Sequence, residues 1–348
     1  MPYVSAAPVS RRLLLPLCLS VASLAPSLGQ AATDYPLRID NCGRTLVFEQ
    51  APERVVSIGQ ASTEILLGLG LGARIVGTGV WFGPLPPALA AEGAAVPRLA
   101  DNAPSFEAVA GTRPDIVTAQ YTYHLGANGE VATPEQFESL GILSYVSPSD
   151  CEDKGVTADS NADGSRSQLF EMALVEREVS ELAEIFDVGT HGEALNAALK
   201  ARIEQVRERL DGAASGPLKV VFWFSSPRLE GDPWVAGSNG VPGYISRTLG
   251  LDNVIETEEE WPAVSWERIA SLDPDVIVVA RMDRRLYPAD DAQIKRGFLQ
   301  RDPVTRELRA VRDGRVLVVD AQALNPSIRV VDGIEMLADQ LGGAGAAR

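Results

Sequence analysis

The sequence predicts an α/β fold in which two lobes, each with a mostly parallel sheet, are joined by one long α-helix, with a ligand cleft between the lobes. Three observations predict it. Short apolar runs alternate with helical stretches, an unbroken helical pattern separates two such series, and the two series share a repeated motif. The chain has 348 residues, enough for two hydrophobic cores.

The first lobe is predicted from four buried strands at residues 54–58, 74–76, 115–118 and 142–146. After the first strand, Ser62-Thr63-Glu64 is typical of a helix start. The glycine-rich residues 68–73 formally fit a dinucleotide fingerprint, but they follow a helix and precede a strand. Phosphate binding needs the reverse order, so this segment is interpreted as a helix end.

The long helix is predicted at residues 167–186, where apolar residues recur at helical spacing with no breaker. A second helix is expected from about Gly192 to Leu210, followed by buried strands at 220–224, 275–279 and 315–319. The predicted domain organisation is a signal peptide at residues 1–31, an N-terminal lobe at 32–165, a connecting helix at 166–188 and a C-terminal lobe at 189–348.

An internal repeat supports two lobes of similar build. Residues 105–110 precede Pro114-Asp115, and residues 265–270 precede Pro274-Asp275, so both matches have the same offset. Each unit predicts a capped short helix, a proline turn and a buried strand. Two similar lobes facing each other form a cleft, which is the default place for a ligand.

The N-terminus predicts export. Arg11-Arg12 precede a short apolar stretch and small residues, with a plausible cleavage site near Ala31. Cleavage leaves Cys42 and Cys151 in an oxidising compartment, which favours one structural disulfide over a reactive or metal-binding pair.

Composition argues against several functions. The chain has 31 Lys+Arg against 47 Asp+Glu, a net charge of −16, which disfavours nucleic acid and anionic membrane as partners. Two histidines leave little room for a histidine-rich metal site, and no Gly-x-Ser-x-Gly motif supports a hydrolase. His124 is expected to be solvated or hydrogen-bonded in a loop, with an axial ligand as the alternative.

The loops after the predicted strands should line the cleft. They carry aromatic side chains and arginines, which suit a bulky planar or anionic ligand, although about half of them are expected to be wall or core packing. The candidate ligand-binding residues are Gln60, Trp81, Phe82, Tyr121, Tyr123, Phe224, Trp234, Trp261, Arg281 and Arg284, with Arg228 and Tyr287 in the same loops. The basic residues within 281–285 of this acidic protein predict an anion site.

Glu107 and Glu267 occupy equivalent positions of the repeat. Each is either an exposed acid favoured by a helix dipole or one of two acids that contact basic sockets of a symmetric partner.

The chain resembles the periplasmic substrate-binding proteins of ABC importers for ferric siderophores, haem and cobalamin. The similarity is carried by residues 51–57 and 62–66, Leu69-Gly70-Leu71, the two Ser-x-Glu units with their Pro-Asp strands, and Gly314-Arg315-Val316. Asn41-Cys42-Gly43 with Cys151 look like a ferric-siderophore-binding branch, in which such cysteines would pair.

The resemblance implies a monomeric, non-enzymatic periplasmic protein that captures an iron–siderophore complex and delivers it to an inner-membrane permease. It implies that Glu107 and Glu267 engage arginines of that permease. No cofactor or metal ligand of the protein's own is implied, because the ligand brings its own iron shell. The alternatives are cobalamin, haem with Tyr121, Tyr123 or His124 as axial ligand, and, less favoured, an exported α/β hydrolase. The polar residues 150–165 look like an insertion or a mobile loop.

Overall fold

The computed structural model describes residues 1–5, 32–126, 129–156, 160–210 and 216–345. The apolar stretch and the cleavage site of the predicted signal peptide lie outside the described residues. Among the helices that are described, none has the length and apolar character needed to cross a membrane.

The first lobe is a hairpin, β1–β2, beside a four-stranded parallel sheet in the order β4-β3-β5-β6. Its strands are β1 Leu37–Asn41, β2 Arg44–Phe48, β3 Val55–Ile58, β4 Ile75–Gly79, β5 Ile116–Ala119 and β6 Leu143–Val146. Its helices are α1 Gln60–Gly68, α2 Pro87–Gly93, α3 Phe106–Gly111, α4 Thr122–Leu125, α5 Pro134–Glu138 and α6 Pro148–Cys151. The four predicted strands of this lobe are confirmed.

The chain then passes between the lobes. This part contains the small hairpin β7 Lys154–Gly155 and β8 Ser165–Arg166, followed by α7 Ala173–Ile185 and α8 Gly189–Leu210. The polar segment predicted to be an insertion or a mobile loop therefore includes a short antiparallel pair.

The second lobe has a five-stranded sheet in the order β10-β9-β12-β13, with β11 also paired to β9. Its strands are β9 Leu218–Ser225, β10 Trp234–Val235, β11 Leu251–Asn253, β12 Val276–Arg281 and β13 Val316–Asp320. Its helices are α9 Val241–Leu249, α10 Trp266–Leu272, α11 Ala292–Arg301, α12 Arg309–Arg312 and α13 Val330–Gly345.

Both main sheets are covered on two faces, as the near-continuous apolar runs predict. In β9, Val220 and Phe222 belong to one buried cluster while Val221 and Trp223 belong to another. Alternate side chains of a strand point to opposite faces, so each sheet separates two cores.

The helix predicted at 167–186 is shorter than expected. Only 13 residues form α7, and Phe170 and Met172 before it pack into the second-lobe core. Val179 and Leu182 of α7 pack into the first-lobe core, so this helix spans the two lobes. The long helix of the fold is α8, with 22 residues, and its Leu195 contacts both cores.

The start and the end of α1 test two other predictions made from the sequence. The helix begins at Gln60, so Ser62-Thr63-Glu64 lie inside it, fully buried, and the prediction of a start there was wrong. Gly59 is the N-cap of this helix and has φ +115°, a backbone conformation that favours glycine. The interpretation of residues 68–73 as a helix end is confirmed, because α1 ends at Gly68 and Gly70 has φ +74°.

A candidate ligand cleft between two sheet edges

The candidate site lies where the carboxyl ends of the two parallel sheets face each other. Gln60 follows β3, Tyr121 follows β5 and Arg281 ends β12. In a parallel sheet these ends share one edge, where ligands bind. Contacts between the edges show that they face each other, because the Arg284 Nη1 atom lies 3.3 Å from the Trp81 carbonyl oxygen across the lobes.

A buried ion pair joins the edges at one place. The Arg329 Nε atom, just before α13, donates to Glu64 Oε2 of α1 at 2.8 Å, and Arg329 Nη2 donates to both Glu64 Oε1 and the Pro84 carbonyl. The Glu64 side chain is 1% exposed and Arg329 is 10% exposed. Burial raises the pKa of Glu64, and the hydrogen bonds from Arg329 oppose that rise.

Gln60 supports the neighbouring loop. Its Nε2 atom donates to Glu64 Oε1 at 3.0 Å, and its Oε1 atom accepts from the backbone nitrogens of Phe82 at 2.9 Å and Gly83 at 3.1 Å. Because the residue is only 1% exposed, its contact with a ligand stays a prediction that this geometry does not favour.

The basic residues within 281–285 already contact oxygen atoms of the chain. Arg284 Nη1 donates to the Asp101 carbonyl at 2.7 Å, and its Nη2 atom donates to Asn102 Oδ1. Arg281 Nη2 lies 3.2 Å from Asp320, and Arg285 Nη1 lies 2.5 Å from Asp291. Arg284 therefore holds the two lobes together, and the other two arginines are paired within their own lobe.

A second buried charge cluster joins the lobes through the polar segment. Lys154 Nζ contacts Asp150 Oδ1 at 2.6 Å and Glu260 Oε2 at 3.1 Å. Arg166 Nε donates to Glu260 Oε1 at 3.0 Å, and Arg166 Nη2 donates to the Ser149 carbonyl at 2.6 Å. All four charged side chains are at most 10% exposed.

The polar segment forms a wall next to Trp261 and Tyr121. Asn161 Nδ2 donates to the Trp261 carbonyl at 2.6 Å, and Asp150 Oδ2 accepts from the backbone nitrogen of Thr122 at 2.7 Å. The start of the segment is fixed by the disulfide between Cys42 and Cys151, with Cα atoms 5.5 Å apart. This is the disulfide that the sequence predicts.

Several of the predicted aromatic residues meet in pairs. The rings of Phe224 and Trp261 are 4.5 Å apart and those of Trp234 and Tyr287 are 5.8 Å apart. Arg98 stacks over the Trp81 ring at 4.4 Å. Trp261 is 7% exposed and packs in the second-lobe core, so its contact with a ligand is not favoured, whereas Trp81, Phe224, Trp234 and Tyr287 are half-buried. The half-buried rings give both lobes apolar faces at the cleft.

The remaining predicted contacts lie at the margins. Phe82 is half-buried against the first-lobe core, and Arg228 is exposed in the loop after β9. Tyr121 is half-buried beside Lys154, whose Nζ lies 6.0 Å from its ring, and burial raises the pKa of Tyr121. Tyr123 is 60% exposed, and its hydrogen bond to Glu130 raises its pKa to about 12.

His124 differs from its prediction. It is 3% exposed on α4, rather than solvated in a loop, and its ring lies 4.6 Å from that of Tyr123. Burial lowers the pKa of His124, although Nδ1 lies 3.5 Å from Glu130 Oε2. The helix after β5 turns the ring towards the core, which explains the difference.

The two repeat units have matching local geometry. Ser105 Oγ accepts from the Ala108 nitrogen at 3.2 Å, and Ser265 Oγ accepts from the Arg268 nitrogen at 3.2 Å. Glu107 and Glu267 are exposed in the first turns of these helices. Both capped helices were predicted, whereas a docking role for the two acids stays a prediction.

Sequence reasoning missed the charged residues between the lobes. Glu64 was assigned to a helix start, and Arg329 stood in a stretch with no recognised motif. Lys154 and Arg166 are the cations of a segment rich in acids, which is the one available signal that they neutralise buried carboxylates. Within the described ranges, no group of three or more His, Cys, Asp or Glu side chains is arranged to hold a metal ion.

Comparison with known proteins gives a consistent picture. The family model described as periplasmic binding protein matches residues 55–323. An uncharacterised ABC transporter substrate-binding lipoprotein, YvrC of Bacillus subtilis, is 23% identical over 309 residues, which are 88% of this chain and 86% of that protein. A cobalamin-binding protein of Halobacterium salinarum is 23% identical over 313 residues, 88% of this chain and 74% of that protein.

A solved structure shares the fold. The ABC-type Fe3+-hydroxamate transport system structure from Saccharomonospora viridis superposes with a TM-score of 0.69 at 22% identity, covering 89% of this chain and 100% of that one.

Proposed function

We propose that this chain, which belongs to the periplasmic binding protein family, is the solute-binding component of an ABC importer that captures a ferric siderophore complex between its lobes. The observation that carries this proposal is the pair of facing sheet edges, with the half-buried Trp81 on one side and the half-buried Phe224 on the other. A cleft of this kind binds a solute without needing a catalytic group. The ligand then passes to an inner-membrane permease, and the iron travels within the siderophore.

Cobalamin is the second candidate, favoured by one observation. The arginines expected to attract an anionic complex are paired or bound to carbonyl oxygens, as Arg285 with Asp291 and Arg284 with Asp101 illustrate. A cobalamin-binding protein is also among the relatives. Haem is less well supported, because Tyr123 already donates to Glu130 and His124 is buried. No observation favours the exported hydrolase.

Intrinsic tryptophan fluorescence tests this proposal. Hydroxamate and catecholate ferric siderophores, ferric citrate, haemin and cyanocobalamin are titrated into the protein, with free N-acetyltryptophanamide as the control for inner-filter effects. Saturable quenching by a ferric siderophore supports the proposal. Quenching by cyanocobalamin or haemin alone would mean that the ligand is not a ferric siderophore, while the role as a solute-binding protein would stand. No saturable response to any ligand of the panel contradicts it.

A docking role for Glu107 and Glu267 belongs to the same proposal. Both acids are exposed and occupy the same position of matching helices, so a permease with two equivalent basic sockets would contact both. Replacing both by alanine should leave ligand affinity unchanged and abolish uptake in cells. The matched control replaces Glu193 and Glu208, two exposed acids of α8, and should transport normally. Full uptake by the Glu107/Glu267 variant would contradict the docking role.

A further inference from the structure

The arginines within 281–285 and the charged side chains that join the lobes are satisfied by the chain itself, and this restricts the ligand. Arg284 uses three of its N–H groups on the Trp81 carbonyl, the Asp101 carbonyl and Asn102 Oδ1. A guanidinium has five such donors, so most of its binding capacity holds the lobes together. The adjacent Asp283 is close to Gly83 of the other lobe, because a Cβ atom on Gly83 would lie 3.0 Å from Asp283 Oδ2.

The neighbouring arginines are balanced in the same way. Arg281 contacts Asp320 at 3.2 Å and Arg285 contacts Asp291 at 2.5 Å. Both carboxylates are the less exposed members of their pairs, at 21% and 17% against 50% and 52%. An anion that approached either arginine would therefore also meet a fixed carboxylate.

The other side of the cleft repeats this balance. Lys154 and Arg166 face Asp150 and Glu260, two cations against two acids. At the third contact between the lobes, Arg329 is matched by Glu64. Opening any of these pairs to receive an anion would leave a buried acid without its cation, which is costly.

The faces that remain for a ligand are aromatic. Trp81 is half-buried beneath Arg98, whose Nη1 contacts Asp101 at 3.0 Å, and the Phe224–Trp261 and Trp234–Tyr287 pairs belong to the second lobe. Such faces bind through apolar contact and stacking, which require no ligand charge.

We propose, on the basis of the proposed function, that the cleft selects a metal chelate without net negative charge and rejects anionic chelates of similar size. Uncharged ferric trihydroxamates and cobalamin share this chemistry. Ferric tris-catecholates, which carry three negative charges, and haem, with its propionates, do not. The protein's net charge of −16 adds long-range repulsion of the same sign.

The first test compares ligands on the unchanged protein. Affinities are measured by tryptophan quenching for ferrioxamine E, an uncharged ferric trihydroxamate, for ferric enterobactin, a trianionic tris-catecholate, and for cyanocobalamin and haemin. We expect an uncharged ligand to bind at least about ten-fold more tightly than either anionic one. Its affinity should change little between about 0.05 M and about 0.5 M salt, because no net ligand charge is screened. Tighter binding of ferric enterobactin or haemin overturns this inference and leaves the transport role standing, whereas no binding by any ligand overturns the role as well.

The second test changes the protein. The double variant Asp291→Asn with Asp320→Asn removes the carboxylates that pair with Arg285 and Arg281. The asparagine side chains can still accept the hydrogen bonds from the backbone nitrogens of Gln293 and Gln322, so both turns stay capped. The double variant should bind ferric enterobactin about ten-fold more tightly than the unchanged protein and bind the uncharged ligand equally well. The control, Asp313→Asn, alters an acid 3.6 Å from Arg315 and should change neither affinity. An unchanged affinity of the folded double variant for ferric enterobactin would contradict the role of these pairs.

Discussion

The lobes are joined through buried charge in two differently built places. Glu64 and Arg329 form a direct pair between a helix of the first lobe and the start of the last helix. The second place is a cluster in which Glu260 receives both Lys154 and Arg166. The direct pair has one partner for each charge, whereas in the cluster Glu260 has two cations and Lys154 has two acids. The difference indicates that loss of one member is more damaging in the pair than in the cluster.

The largest expected effect tests how the cluster is anchored. The disulfide closes a loop with a sequence separation of 109 residues, so replacing Cys42 and Cys151 by serine should lower the free energy of unfolding by about 4 kcal/mol. Urea unfolding of the oxidised protein and the double variant measures this. Equal stability of the two would show that the noncovalent contacts fix the segment without the disulfide.

The direct pair should be the next most sensitive. Glu64→Gln leaves Arg329 buried without its anion, and the expected loss is about 3 kcal/mol in urea unfolding. The double variant Glu64→Gln with Arg329→Met should recover part of that loss, because neither charge is then stranded. A loss below about 1 kcal/mol for the single variant would show that this buried pair contributes no more to stability than an exposed ion pair.

A buried acid outside both places sharpens the comparison. Glu178 of α7 accepts a hydrogen bond from Ser147, and burial raises its pKa to about 7. The folded protein then holds a proton that the unfolded chain releases near pH 4.5, so stability from this group is lost as the pH rises from about 4.5 to about 7. Glu178→Gln should therefore be more stable than the unchanged protein by about 3 kcal/mol at pH 8 and equally stable at pH 4. Thermal unfolding of both proteins between pH 4 and pH 8 measures this difference. An identical dependence of stability on pH for the two proteins would contradict the raised pKa of Glu178.

The smallest effect is expected within the cluster. Lys154→Met leaves Glu260 paired with Arg166, and Asp150 still accepts from Thr122, so the loss should be about 1 to 2 kcal/mol. Lys200→Met is the control, because Lys200 is 62% exposed where it contacts Glu176 and should contribute little. A loss as large as that of Glu64→Gln would show that Arg166 alone does not satisfy Glu260 once Lys154 is absent.

The sequence predicts the regular parts of this molecule well. Strands such as Val55–Ile58 and Val276–Arg281 follow from continuous apolar runs, and both serine-capped helices follow from local side-chain chemistry. The order of elements also predicts which loops follow the strands. It therefore places Trp81, after β4, and Tyr121, after β5, at the same edge of the first-lobe sheet.

The charge partners of the cleft were beyond such reasoning. Glu64 and Arg329 are 265 residues apart, and nothing local in either stretch indicates the other. The arginines within 281–285 have the same local sequence whether they bind a ligand or pair with Asp291 and Asp320. Only the tertiary fold decides between those outcomes, because it places the acids.

The path of the chain between the lobes affects how the molecule is made. Phe170 and Met172 lie in the second-lobe core, yet Leu182 and Ile185, which come later, complete the core of the first. During synthesis from the N-terminus, the core of the first lobe therefore cannot be completed until α7 has been made. Phe170 and Met172 can pack only after β9 has been made. A fragment ending at residue 165 would expose an apolar surface where α7 belongs. The two lobes are thus not exchangeable modules, and one cut between them would not yield two independently folding halves.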